Sequence, residues 1–438
     1  MQVVFRHQKR RHIVHLHRRA ALQLLHRGPH GFITHLERIL HHHGITSGSL
    51  LIDDTDNPRS KAAHTLAHLY KLRDKESGGY LWGQSLVFLV LVTPKISIPV
   101  GFTFYQPAPE LSAWYKQEKA LKKQGIPKSQ RLPKPPPNPR YPTKQQLALR
   151  LLEQFKMDHP GIRVHCIVAD ALYGTAPFVD GASALFGGVQ VLSQARSNQN
   201  IQVHQREQHL TNYFAAHPGT PQTIRIRGGD ERVAMVRSAR LYVCAHKTKR
   251  FIVAIKYEEE ETYRYLMASD LTWRTLDIVQ GHSLRWLVEV FVQDWKGYEG
   301  WAQLTKQPGE EGARRSVILS LLVDHALFVH PAQEAQLKNN LPAYTVGSLR
   351  AHVQVECLVD VIEDLVSSDD PQSRLQHFTK ALHEVQQFPP MAPLPHTAAS
   401  TEQALVGFDQ PFHADVGLSA LRVDTRSRRQ GEHGEIGA

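Results

Sequence analysis

The chain has 438 residues, enough to bury a sizeable core and build about two or three structural units. No stretch reaches the roughly 18–20 uncharged apolar residues a membrane helix needs, and Arg6, Lys9, Arg10 and Arg11 break the first apolar cluster, which argues against a secretion signal. A formal charge of +11 attracts polyanions such as nucleic acid, while three cysteines without metal or disulfide spacing fit a reducing cytoplasm.

Residues 1–48 read as a basic helical region, with no acid before Glu37. A different regime begins at Ser49. Leu50-Leu51-Ile52 forms a short buried strand that ends in Asp53-Asp54, although Asp53 to Pro58 also has the chemistry of a turn. Ser85–Val92 and Ile96–Tyr105 follow as strands without clean alternation, as in a sheet covered on both faces. Residues 106–143 read as a long Pro- and Lys-rich loop. Glu118 is the lone acid between Lys116 and Lys144, so Lys122, Lys123 and Lys128 lie either on a DNA track or on a solvated insertion.

Beyond the loop, Lys144–Met157 has helical spacing and Val164–Ala169 is a buried strand ending in Asp170. A helix at Pro177–Phe186 and a strand at Val189–Ala195 complete a β-α-β alternation, so 49–200 is the first part of an α/β core. Residues 201–275 switch to β period and read as an inserted antiparallel subdomain. Residues 276–332 return to helix, 333–388 continue it, and 389–438 have the composition of a disordered tail.

Three acidic positions stand out. A carboxylate where a buried strand emerges is well placed to hold a hard divalent cation such as Mg²⁺, which prefers oxygen ligands. Asp53-Asp54 and Asp170 occupy such positions, and Glu289 lies inside a predicted helix over Leu276–Lys296. On one helical wheel His282, Arg285, Glu289 and Lys296 fall within an arc of about 60°, opposite Leu284, Leu287, Val288, Phe291 and Trp295. That face either presents a carboxylate between cations or is a solvated i,i+4 pair. No Ser/His/Asp or Cys/His nucleophile arrangement and no phosphate-cradling GxxxxGK[ST] loop is present.

Arg285-(3)-Glu289-(6)-Lys296, with His282 before it, resembles the Y-(2)-R-(3)-E-(6)-K signature of DDE-type bacterial insertion-sequence transposases. Histidine stands where that signature has tyrosine. Ile52-Asp53-Asp54-Thr55 resembles the first catalytic block of that group, and Val168 to Gly174 the second. The blocks arrive in order, 116 residues (54 to 170) and 119 residues (170 to 289) apart. The resemblance implies a ribonuclease-H-like core with an inserted β-rich subdomain and a mostly helical C-terminal part. It also implies two Mg²⁺ ions (or Mn²⁺ in their place) on Asp54, Asp170 and Glu289, with Asp53 as the register alternative to Asp54. His282, Arg285 and Lys296 would contact phosphates. The implied activity is cleavage at element ends and strand transfer into double-stranded target DNA, by a homodimer on paired ends in the bacterial cytoplasm.

Overall fold

The computed structural model describes residues 29–59, 65–73, 77–225, 231–298, 307–328, 330–339, 341 and 343–386. Residues 1–28 of the basic region 1–48 and the tail 389–438 therefore lie outside the described residues. The chain divides into two units, Met1–Val346 and Gly347–Ala438.

The first unit is built on one mixed sheet of twelve strands. Its described part opens with helix α1 (Pro29–His42), then β1 (Ser47–Arg59), β2 (Tyr70–Arg73), β3 (Tyr80–Val92) and β4 (Ser97–Tyr105). β1 pairs antiparallel with β3, and β3 with β2 and β4. After helices α2 (Pro109–Lys123) and α3 (Lys144–Asp158), β5 (Arg163–Ala169) returns parallel to β1 on its other edge. Helix α4 (Ala176–Leu185) then leads to β6 (Gln190–Ala195), parallel to β5. The inner strand order is thus β4-β3-β1-β5-β6.

Leu50, Leu51, Ile52 and Leu86 to Leu91 are all fully buried, because helices cover both faces of this part of the sheet. On one face Leu50, Ile52 and Val87 pack with Leu147 and Leu152 of α3 and Phe178 of α4. On the other, Leu51, Phe88 and Val168 pack against three later helices, α6 (Thr275–Ser283), α7 (Trp286–Tyr298) and α8 (Gly309–Leu327).

The segment read as an inserted subdomain is continuous with the core sheet. β7 (Asn200–Val203), β8 (Arg206–His209), helix α5 (Leu210–Ala216), β9 (Thr220–Arg225), β10 (Glu231–Val243), β11 (Thr248–Tyr257) and β12 (Arg264–Ala268) extend it, and β12 pairs antiparallel with β6. A short helix, α9 (Pro331–Lys338), follows α8 in this unit. In the second unit the described residues form α10 (Val346–Val366) and α11 (Pro371–Gln386). No helix among the described residues is long and apolar enough to cross a membrane.

Three local expectations are corrected. β1 does not end at Asp53-Asp54. Its ladder with β3 runs on to Arg59, opposite Trp82, so the residues with turn chemistry are held extended by a long partner strand. The loop 106–143 contains α2, which starts at Pro109 and ends with Lys122 and Lys123, the arrangement its dipole favours. The helix over Leu276–Lys296 is two helices. Hydrogen bonds from Leu284 N to Gly281 O and from Arg285 N to His282 O tighten the chain into i→i−3 turns, so a single wheel does not carry across the break.

Candidate active site

The acids of β1 stand where its second neighbour leaves. The last parallel pair of β1 with β5 is Ile52 with Ala169, and the next residue of β5's chain is Asp170. From Asp53 onward one edge of β1 is free of β5, and Lys296 donates to the Asp56 carbonyl at 2.5 Å, on this same stretch. Asp170 caps a short 3-10 turn, accepting from Leu172 N at 2.8 Å, while its own carbonyl accepts from Ser193 Oγ at 2.7 Å. The turn passes close to β6. A Cβ on Gly174 would come within 2.9 Å of the Gln194 carbonyl, which accounts for glycine in the second sequence block.

Alternation along β1 sends its two acids to opposite faces. Asp53 lies opposite Phe88 and Asp54 opposite Val87. Phe88 is the anchor of α7, its ring 5.3 Å from Phe291 and 4.8 Å from Trp295 between centroids. Val288, Phe291 and Trp295 bury one stripe of α7, and Trp295 also donates to Ser320 Oγ of α8 at 2.8 Å. Truncating such a buried ring to alanine costs about 3–5 kcal/mol, so α7 is firmly seated over Asp53.

Arg285, at the head of α7, joins that face together. Its guanidinium lies 2.8 Å from Glu289 Oε1 and 3.4 Å from Asp53 Oδ2. Glu289 is about half exposed (47%), open to a large ligand, and Trp286 beside it is exposed too. On the other face, Asp54 forms an ion pair with Lys144 of α3 and lies 3.5 Å from the Tyr173 hydroxyl, which donates to it.

The acids feel one another. Burial pushes Asp53 up to about 6, with Asp170 and Asp54 adding to the rise and Arg285 opposing it. Asp170 is raised as well, by burial first and then by the charge of Asp54. Burial, with these acids' charges adding, raises Tyr173 far above the ordinary phenol range, so it stays a donor.

Carboxylate oxygens are hard donors, and their chemistry matches that of a divalent cation. Their spacing does not yet make a cage. Among the described residues no group of three His, Cys, Asp or Glu is placed to hold a metal ion, and the cations of Arg285 and Lys144 lie against the carboxylates. The chemistry of the donors, and not their present spacing, suits a divalent ion.

His282, at the tyrosine position of the motif, lies in the last turn of α6. Its Nε2 is buried without a hydrogen-bond partner, and burial, helped by Arg285 and Arg264, lowers it to about 3. It is neutral near pH 7 and gains no charge on mild acidification. Lys296 is lowered by burial, partly offset by Asp56. Lys122, Lys123 and Lys128 are exposed on α2 and the turn after it, and among the described residues no hydrogen bond or ion pair joins them to the acids. Sequence reasoning gave Lys144 no role at the acids. The available signal was a lysine in the first turn of a helix, where the dipole disfavours a cation.

The sequence matches the family described as DDE superfamily endonuclease over residues 17–242, more than half of the chain. The chain belongs to that family. This endonuclease therefore acts in a group that generally uses divalent metals, and a DNA substrate follows from that membership. The match contains Asp54 and Asp170, whereas Glu289 lies beyond it. No curated protein matches the chain in sequence. Among solved structures, the NurA nuclease from Sulfolobus solfataricus is similar at 7% identity and a TM-score of 0.22, covering 54% of this chain and 72% of that one. So loose a superposition bears nothing on the chemistry.

Proposed function

We propose that this endonuclease is a DNA transposase, which cleaves at insertion-element ends and joins the freed 3′-hydroxyl to target DNA. The observation that carries the reading is the meeting at one sheet edge of acids from three separate sequence blocks. Asp170 follows Ala169, the β5 partner of Ile52, and so comes next to Asp53 at the sheet edge, while Arg285 joins Asp53 to Glu289 on the α7 face. The inner order β4-β3-β1-β5-β6, with helices on both faces, supports a ribonuclease-H-like core.

Cleavage and joining at phosphorus ask a protein chiefly for positioning and charge stabilisation. When bound, two Mg²⁺ ions, or Mn²⁺ in their place, would activate the attacking oxygen and stabilise the leaving one. Asp170 and Glu289 would hold them together with the first acid, Asp54 or its register alternative Asp53. Arg285 offers a bidentate fork to phosphate and Lys296 a point charge. His282, its Nε2 buried without a partner, supports the head of α7 in this reading and leaves phosphate contact to Arg285. The lysines of α2 supply a sequence-independent track for double-stranded DNA, and a homodimer would bring two ends together.

A second assignment of the first acid is favoured by one contact. Arg285 links Glu289 to Asp53 rather than to Asp54. In that version Asp53 is the ligand and Asp54 belongs to the opposite face.

The test is cleavage and joining of element-end DNA with Mg²⁺ or Mn²⁺. Asp170→Asn and Glu289→Gln should each lower metal-dependent cleavage by about 10³-fold or more while DNA affinity stays near wild type. Wild-type protein that binds DNA but cuts nothing would make this a DNA-binding relative, and cutting without joining would make it a hydrolytic nuclease.

A further inference from the structure

We infer that His246 is a positioning residue for Asp170, holding the Gly174 carbonyl and with it the turn that carries the carboxylate. The inference rests on the reading of Asp170 as an acid of the cleavage site. Neither His246 nor Arg250, which sets its ring, belongs to the three sequence blocks, and both lie beyond the end of the family match at residue 242.

Asp170 does not stand alone at the end of β5. Its Oδ1 accepts from Leu172 N, so the carboxylate goes where the 3-10 turn Ala171–Tyr173 goes. Side chains from three parts of the chain grip carbonyls of that turn and its caps. Ser193 Oγ of β6 donates to the Asp170 carbonyl at 2.7 Å, and Gln145 Nε2 of α3 donates to the Leu172 carbonyl at 2.6 Å. The third grip comes from the hairpin of β10 and β11. His246 ends the short turn Cys244–His246 that joins those strands, and its Nε2 lies 3.2 Å from the Gly174 carbonyl.

The neighbours of the ring decide which nitrogen holds its proton. Arg250 Nε, which can only donate, lies 3.1 Å from His246 Nδ1. Nδ1 therefore accepts, and the proton sits on Nε2, where it is donated to Gly174. Burial, with the Arg250 charge adding, lowers the His246 pKa and keeps the ring neutral. Arg250 is itself buried, and its Nη2 reaches Asp180 of α4 at 2.5 Å for a counter-charge. Removing a guanidinium from water is costly. The hairpin's own ladder, from Val243 opposite Thr248 to Ala234 opposite Tyr257, is made by backbone and needs neither side chain. What the buried pair adds is the link from the hairpin tip to the turn of Asp170.

Two substitutions separate that contact from the fold. His246→Asn keeps an oxygen near the place of Nδ1 for Arg250 but is too short to reach Gly174. His246→Gln restores an N–H near the place of Nε2. In full-length protein with Mg²⁺ and saturating element-end DNA, His246→Asn should lower the single-turnover cleavage rate about 10–100-fold and leave the DNA Kd near wild type. His246→Gln should recover most of that loss. Amide hydrogen exchange without DNA or metal gives a second readout. The peptide spanning Asp170 to Gly174 should exchange about tenfold faster in His246→Asn and keep its wild-type rate in His246→Gln. Wild-type cleavage, or unchanged exchange of that peptide, in His246→Asn overturns the inference. So does exchange raised equally across β10 and β11, which would make His246 a prop of the hairpin alone. In both cases full loss of cleavage in Asp170→Asn leaves the active-site reading standing, whereas wild-type cleavage in Asp170→Asn overturns that reading itself.

Discussion

The two faces of β1 carry neighbouring acids into different surroundings. Asp53 looks toward α7, where Arg285 shares its charge between Asp53 and the half-exposed Glu289. Asp54 looks toward α3, where Lys144, the Tyr173 hydroxyl and the Tyr105 ring enclose it. A one-residue step along a strand exchanges these environments, since side chains alternate with period two. The motif Ile-Asp-Asp-Thr therefore contains two different sites, and what separates them is the helix packed over each, not the acid.

The largest effect expected from this difference is a split between two conservative variants. With Asp54 as metal ligand, Asp54→Asn should lower cleavage by about 10³-fold or more. Asp53→Asn should cost only about 10–100-fold, the usual range for a partner that orients a ligand through a second residue, here Arg285. Cleavage assays on both variants decide the matter. The reverse order of losses would transfer the first metal ligand to Asp53 and make Lys144 an ornament of the far face.

A smaller effect separates the faces by pH. The carboxyl of Asp53 is raised to about 6, above its unfolded value, mainly because it is buried. The folded state then holds a proton that the unfolded state has released. Stability from this group is present below about pH 4 and declines as pH rises through 6. A divalent ion on this side takes the proton's place, so its stabilising effect should grow as pH rises to about 6 and then level off. Thermal melts with and without Mn²⁺ between pH 5 and 8 measure it. A metal-induced shift in melting temperature that is flat across that range would remove Asp53 from the ion's neighbourhood.

Much of this arrangement was legible before the fold. The apolar runs around Leu50 and Ile167 announce buried strands, and the glycine after Tyr173 fits a turn pressed against β6. The acids were legible as strand-edge and helix residues, and the Arg285–Glu289 pair as an i,i+4 contact. Four features were not. The Asp54–Lys144 pair joins positions 90 residues apart, which no local pattern reports. The extension of β1 to Arg59 depends on the length of β3, a tertiary partner that overrides turn propensity. The break at Leu284–Arg285 lies inside an unbroken amphipathic pattern, so only backbone hydrogen bonds reveal it. Helix α2 was hidden because prolines after it coloured the composition of the whole segment 106–143.

The smallest effect concerns the support of the α7 face rather than the acids themselves. Asp324 of α8 is buried, with its Oδ2 lacking a hydrogen-bond partner. Burial raises it far above the ordinary carboxylate range, and Asp294 of α7 adds to the rise. Since its folded pKa exceeds the unfolded one, its ionisation costs nothing at pH 4 and progressively more as pH rises. Asp324→Asn removes the ionisable group and keeps the shape. It should leave the melting temperature nearly unchanged at pH 5 and raise it by about 2–4 °C for each kcal/mol relieved at pH 9. Cleavage at pH 7 should stay near wild type, because Asp324 touches neither Arg285 nor the acids among the described residues. An equal shift at both pH values would mean that packing, not charge, governs the α7–α8 contact. The face that seats Glu289 would then be indifferent to pH, and the pH contrast between the two sides of β1 would rest on Asp53 alone.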